Sequence, residues 1–188
     1  MIRPAKKEDI PQMLAIYAPY VEHTTVSFEY TPPSEEEFSR RFETITAQFP
    51  WLVWEEAGKV TGYAYASAPF SREAYRWCAE PSVYLLPEAQ GRGIGTRLYR
   101  ALEKILSAQG YQVVYALISA NNEKSLHFHA KNGYKQVGFL PNCGYKFEQW
   151  IGLCWLEKRL GFVENPSSPP APWSRIIDNS QKLDDILM

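Results

Sequence analysis

The 188-residue sequence predicts an α/β domain whose mixed, mostly antiparallel sheet carries helices on both faces. Three observations lead there. The segment Glu80 to Gln109 reads strand, glycine turn, helix; helical and strand periodicities interleave along the first 160 residues; and an apolar content of 45% with 22% charged residues is ordinary for one globular domain of this length.

The elements follow in order. Ile2 to Pro4 is a short edge strand. Ile10, Met13, Leu14, Tyr17 and Val21 keep helical spacing over residues 9 to 22, with Pro11 tolerated in the first turn. His23 to Pro33 reads as a loop. Ser34-Glu35-Glu36-Glu37 forms a capping box that starts a helix running to about Gln48, with Phe38, Phe42 and Ile45 on its apolar face. Trp51 to Glu55 and Val60 to Ser67 flank Ala57-Gly58 and predict an antiparallel hairpin. Pro69 to Arg76 is a polar and aromatic loop into the central strand, Trp77 to Leu86. A helix from Ile94, with Leu98, Ala101, Leu102 and Ile105 on one side, ends near Gln109 with Gly110 behind it. A strand at 113 to 118, a helix at 123 to 132 capped by Asn121 or Asn122 and closed by Gly133, and strands at Tyr134 to Leu140 and Phe147 to Lys158 complete the domain, residues 1 to 163. Residues 164 to 188 are a separate proline-rich tail, in which Ile176, Ile177, Leu183, Ile186 and Leu187 are suited either to docking or to a free terminus.

Composition narrows the function. A net charge of −1 gives no electrostatic case for nucleic acid or for a membrane surface. No apolar run reaches the ~18 residues of a spanning helix, and Met1-Ile2-Arg3-Pro4 does not read as a signal peptide. Cys78, Cys143 and Cys154 are odd in number and lack ligand-like spacing, which points to reduced thiols, a cytoplasmic location and no metal.

The glycine turn carries the chemistry. Unpaired amides at a helix N-terminus favour an anion, and glycines let it approach the main chain. The spacing Gly91-x-Gly93-x-Gly95 is not the dinucleotide fingerprint, and no Gly-Lys-Ser/Thr follows, which excludes a nucleotide P-loop. What remains is Gln90-x-x-Gly93-x-Gly95 after Val83-x-Leu85-x-Pro87. That pattern resembles the acetyl-CoA pyrophosphate motif of the GNAT N-acetyltransferase superfamily, and the order of elements matches the GNAT fold.

Further segments bring the resemblance closer. Tyr-Arg-Trp-Cys-Ala-Glu-Pro-Ser-Val-Tyr at 75 to 84, Phe-Pro-Trp-Leu-Val at 49 to 53, Thr-Thr-Val-Ser-Phe at 24 to 28, Ser-Leu-His-Phe-His at 125 to 129 and Gly-Tyr-Lys-Phe at 144 to 147 are similar to the phosphinothricin N-acetyltransferase family. The family implies acetyl transfer from acetyl-CoA to the amino group of a small amino-acid-like substrate such as phosphinothricin, methionine sulfoximine or methionine sulfone, by a homodimer. Two alternatives stay open, acetylation of another small amine and acetyl-CoA binding without turnover.

The resemblance also assigns residues. Glu80 corresponds to the catalytic glutamate, a carboxylate able to take a proton from the substrate ammonium if burial raises its pKa. His129 falls where many GNAT enzymes place a proton-donating Tyr, and His127, about 200° round the helix, cannot face the same site. Main-chain groups of Val83, Tyr84 and Leu85 pair with pantetheine; Gly91, Arg92, Gly93, Ile94, Gly95 and Thr96 hold the pyrophosphate; Asn122 reaches the pantetheine arm. Phe28, Arg72, Tyr75 and Lys146 are the substrate-binding candidates. The sequence departs from the family at Gly152, where Asp is usual, and in the loop holding Arg72, which is one residue shorter. Both departures bear on substrate identity.

Overall fold

The computed structural model describes residues 1–178 and Leu183. In chain order the elements are β1 (Ile2–Pro4), α1 (Ile10–His23), α2 (Glu35–Thr46), β2 (Trp51–Glu56), β3 (Lys59–Ser67), β4 (Cys78–Leu85), α3 (Ile94–Gln109), β5 (Val113–Ser119), α4 (Glu123–Lys131), β6 (Lys135–Lys146), β7 (Gln149–Arg159) and α5 (Trp173–Ile177). The strands form one sheet in the order β1-β2-β3-β4-β5-β7-β6. All neighbours are antiparallel except β4 and β5, which run parallel because α3 carries the chain back between them.

Alternation along the strands divides the core in two. Leu52, Ala64, Ala66, Ala79, Val114 and Ala116 point to one face, where α3 covers them with Leu98, Leu102, Ile105 and Leu106. Trp51, Val53 and Tyr63 point to the other, beneath Met13 and Val21 of α1 and Phe38 and Phe42 of α2. The small alanines on the first face let α3 lie close to the sheet, and the aromatics on the second fill the wider gap under two helices.

Local signals fixed most element ends. Ala57 (φ 49°) and Gly58 (φ 79°) make the two-residue turn between β2 and β3. Gly110 (φ 104°) closes α3 with its amide on Leu106 and Ser107 carbonyls. Asn122, not Asn121, caps α4, its side chain accepting the Ser125 amide at 3.1 Å. Ser34 accepts the Glu37 amide at 3.1 Å, but the reciprocal half of the capping box is replaced. The Glu37 carboxylate instead accepts from Arg40 and Arg41, charged donors one turn ahead on the same face.

Two regions differ from expectation. β6 runs on past Leu140 to Lys146 and carries Pro141, because an edge strand has no outer neighbour to miss the proline's N–H. Phe147 (φ 52°) and Glu148 (φ 59°) form its turn, so β7 begins at Gln149. The tail docks: the Ala171 amide donates to the Gln109 carbonyl at 2.7 Å, Gln109 Nε2 donates to the Gln48 and Ala171 carbonyls, and Trp173, Ile176 and Leu183 are buried in the α3 core cluster. Ile186 and Leu187 lie outside the described residues.

Candidate active site

β4 and β5 pair at just two positions, Cys78 with Val113 and Ala79 with Val114, and then part. Glu80 is the first residue of β4 beyond the pairing, and Pro81, with no N–H to offer a neighbouring strand, is the second. The parting opens a cleft through the sheet, lined by Glu80 to Tyr84 on one side and by Leu117, Ile118 and Ser119 on the other.

Strand alternation orients the cleft. Val83 and Leu85 pack with the α3 cluster, whereas Tyr84 packs with the α1/α2 cluster. Glu80 and Ser82, two-residue steps from Tyr84, therefore face the α1/α2 side. Burial lifts the Glu80 carboxyl above the ordinary carboxylate range, and among the described residues no hydrogen-bond donor or cation offsets that effect. An isolated carboxylate in this setting takes up a proton readily.

On the opposite side of the cleft His129 is 2% exposed. Its Nδ1 lies 2.8 Å from the Ser125 carbonyl, which can accept and never donate, so Nδ1 bears the hydrogen. Burial lowers its pKa, which favours the neutral ring with Nε2 as acceptor. Tyr99 lies against both acceptors: its single hydroxyl hydrogen is shared between Nε2 at 2.8 Å and the Pro81 carbonyl at 2.9 Å. His129 thus meets the cleft alongside Tyr99, a residue the sequence reading did not single out. His127 is exposed, as its helical position required.

A larger groove, enclosing ≈ 1320 Å³ with its open mouth, continues from the cleft along the α3 side, sharing Val26, Val83, Asn122 and Ser125 with it. Leu85, Gly91, Gly93, Ile94, Gly95 and Thr96 line it, so the expected cofactor positions other than Tyr84 and Arg92 come together there. Gly91 (φ 73°) and Gly93 (φ 77°) hold conformations that glycine adopts freely, with open space where a Cβ would stand. α3 has no side-chain cap and no acidic residue in its first turn, which leaves its first amides for an anion. These features fit a diphosphate-bearing cofactor.

Three residues missed by sequence reasoning also belong to the groove. Lys124 and Phe128 line it, and the Tyr20 hydroxyl donates to the Leu85 carbonyl at 2.6 Å while accepting from Gln90 Nε2 at 3.1 Å. Arg92 does not line it. Its guanidinium is held by both oxygens of Glu56 at 3.0 and 2.7 Å, a fork matched to a carboxylate.

The substrate candidates are scattered. Phe28 lies over Gly144, where a Cβ would stand 2.4 Å from its ring. Arg72 and Tyr75 line a separate depression with Phe70, Tyr111 and Pro170, and neither lines the Glu80 cleft. Lys146 is corrected outright: it is 3% exposed, and its ammonium donates to the carbonyls of Val21, Thr24 and Ser27 at 2.6, 2.9 and 2.8 Å. An ammonium has three hydrogens, so none remains for a substrate. At Gly152 a Cβ would come within 2.7 Å of the Phe139 ring and 3.2 Å of the Leu140 carbonyl, which explains why no side chain stands there.

A strand splays from its parallel neighbour, a glycine turn feeds a helix, and a half-buried carboxylate stands at the fork. Residues 2–155 match the family described as an acetyltransferase (GNAT) domain. The chain is 37% identical to a phosphinothricin N-acetyltransferase of Alcaligenes faecalis, covering 85% of this chain and 82% of that one. It is 35% identical to an L-methionine sulfoximine/L-methionine sulfone acetyltransferase of Pseudomonas aeruginosa, covering 85% and 94%. Among solved structures, a GNAT-superfamily phosphinothricin acetyltransferase from Sinorhizobium meliloti in complex with acetyl-CoA superposes with a TM-score of 0.84 at 36% identity, covering 91% and 92%. The chain belongs to the GNAT acetyltransferase family.

Proposed function

We propose that the protein transfers an acetyl group from acetyl-CoA to the amino group of a small amino-acid-like substrate, of the kind its relatives are named for: phosphinothricin, methionine sulfoximine or methionine sulfone. The observation that carries this reading is Glu80, half-buried and without a partner among the described residues, in the cleft that opens into the cofactor groove through Val26, Val83, Asn122 and Ser125. Acetyl-CoA supplies the acetyl group as a thioester. The amides that open α3 hold its diphosphate, and the edge of β4 at Val83 offers main-chain groups to its amide-containing arm, while the Leu85 carbonyl is taken by the Tyr20 hydroxyl at 2.6 Å. Glu80, approaching from the α1/α2 face, takes the ammonium proton and frees the nitrogen lone pair for the acyl carbon. The C–N bond forms as the C–S bond breaks. No strong acid is needed on the leaving side, because a thiol with a pKa of about 8.5 departs readily as thiolate. There His129 acts through Tyr99, whose hydroxyl it orients beside Pro81.

One observation favours a different small amine as the preferred substrate. No Arg or Lys lines the Glu80 cleft among the described residues, so a doubly anionic substrate finds no fixed cation there. Release of CoA thiol measured with the three named amino acids and a panel of unrelated amines, with Glu80→Gln as control, decides between them. Glu80-dependent turnover of the named three supports the first reading, turnover confined to other amines the second, and none at all defeats both.

The reading extends to assembly and location. The exposed Val137, Phe139, Leu140, Tyr145, Phe147 and Trp150 of the β6–β7 hairpin support a homodimer formed through that arm. The free thiols of Cys78, Cys143 and Cys154 suit the cytoplasm. Residues 1–163 act as the catalytic unit, with the docked Ala171, Trp173 and Ile176 bracing it.

A further inference from the structure

We propose that Ser119 is a substrate-recognition residue, its hydroxyl donating a hydrogen bond to an oxygen carried by the amine substrate. The inference rests on the acetyl-transfer reading above.

Ser119 ends β5 and is 3% exposed, yet its Oγ has no hydrogen-bond partner. Folded proteins rarely leave a buried hydroxyl unpaired, since its lost hydration goes uncompensated. The other buried side-chain atoms without partners belong to Trp51, Trp54, Thr61, Gln109, Gln112 and Trp155, and none of those residues lines the cleft. Ser119 does.

Its placement is set by the main chain. The Ser119 carbonyl accepts the Asn122 amide at 2.9 Å, and the next amide, of Ala120, donates to Gly152 at 2.8 Å. Val114 and Ala116 pack on the α3 side, so the odd positions of β5, ending at Ser119, point to the α1/α2 face. Glu80 lines the same cleft from the β4 wall, nearer the point of parting: Ala79 pairs with Val114, and Ser119 lies further along β5, level with Tyr84. Ser119 and Glu80 are therefore two polar groups on opposite walls of the chamber that receives the amine.

The direction of the bond follows from what each wall can do. An ionised carboxylate accepts and cannot donate, so Glu80 takes the ammonium. The remaining polar atoms of an amino-acid-like amine are oxygens, which need donors. With Lys146 held by three carbonyls and Arg72 outside the cleft, the Ser119 hydroxyl is the donor left without a partner on that wall.

The test compares wild type with Ser119→Ala on methionine sulfone, on methionine, and on 3-(methylthio)propylamine, which has no oxygen, using KM or, for a compound not turned over, Ki. Loss of one hydrogen bond to a charged or strongly polar oxygen raises KM about tenfold or more while kcat stays within about twofold. A rise confined to the sulfone assigns the bond to the side-chain oxygen; a rise for sulfone and methionine together assigns it to the carboxylate. The oxygen-free amine is unaffected in either case. Unchanged KM for all three, or a fall in kcat at constant KM, overturns the inference while acetyl transfer stands. Wild-type inactivity towards every amine overturns both.

Discussion

Lys146→Met separates a structural lysine from a substrate-binding one. The ammonium lies 2.6, 2.9 and 2.8 Å from the carbonyls of Val21, Thr24 and Ser27, so it ties β6 to the C-terminal end of α1 and to the loop carrying Val26 and Phe28. Methionine keeps the length of the stem and removes the donors. Each charged hydrogen bond is worth about 1.5–3 kcal/mol, but the buried ammonium also gives up its desolvation penalty when it is removed. The net loss for breaking such a buried cluster is about 3–5 kcal/mol. At about 2–4 °C per kcal/mol for a domain of this size, the melting temperature falls by about 6–20 °C. Calorimetry or denaturant unfolding measures this directly, and steady-state kinetics below the new melting temperature measures the amine KM. A melting temperature within about 2 °C of wild type, together with a KM raised about tenfold, would refute the structural role and return Lys146 to the substrate.

Five further outcomes follow from the same geometry. Glu80→Gln lowers turnover by about 10²- to 10⁴-fold while acetyl-CoA binding by isothermal titration is unchanged. Because burial raises the Glu80 pKa, its ionised form weakens the fold above the unfolded-state pKa of about 4.3; Glu80→Gln therefore melts higher than wild type at pH 8, and the difference vanishes below pH ~4. The same shift places the rising limb of wild-type kcat/KM above the ordinary carboxylate range, and a limb at or below it would remove Glu80 as the base. Trp173→Ala, which empties a buried site in the docked tail, costs about 3–5 kcal/mol in chemical unfolding; a change under about 1 kcal/mol would mean the tail does not brace the core. Trp150→Glu, at the most exposed large aromatic of the β6–β7 arm, converts the proposed dimer to monomer in sedimentation velocity, and an unaltered sedimentation coefficient would defeat the proposed interface.

Much of the architecture could be read along the chain because its signals are local. The periodicity of Ile94, Leu98, Leu102 and Ile105, the glycine behind Gln109, and Asn122 ahead of α4 each act within a turn or two of helix. Glu80 was legible for a similar reason: its neighbours in sequence are also its neighbours along β4. The Phe147-Glu148 turn was hidden because neither residue is one that usually marks a left-handed turn, and the edge position that tolerates Pro141 is a property of the sheet.

Sequence alone therefore determined the order of elements, the glycine turn that opens α3 and the place of Glu80 on β4. Tertiary structure decided where each charge is used. Arg92 was expected at a phosphate and is held by Glu56, 36 residues away; Lys146 was expected at the substrate and is held by carbonyls 119 to 125 residues away. Tyr99 joins His129 from another helix, and Ser119 and Glu80 line one cleft because β4 and β5 part after two pairs. Helix periods, caps and turns are short-range interactions that a segment carries with it. The partner of a buried polar group is chosen by packing among distant segments, and that choice exists once the sheet has assembled.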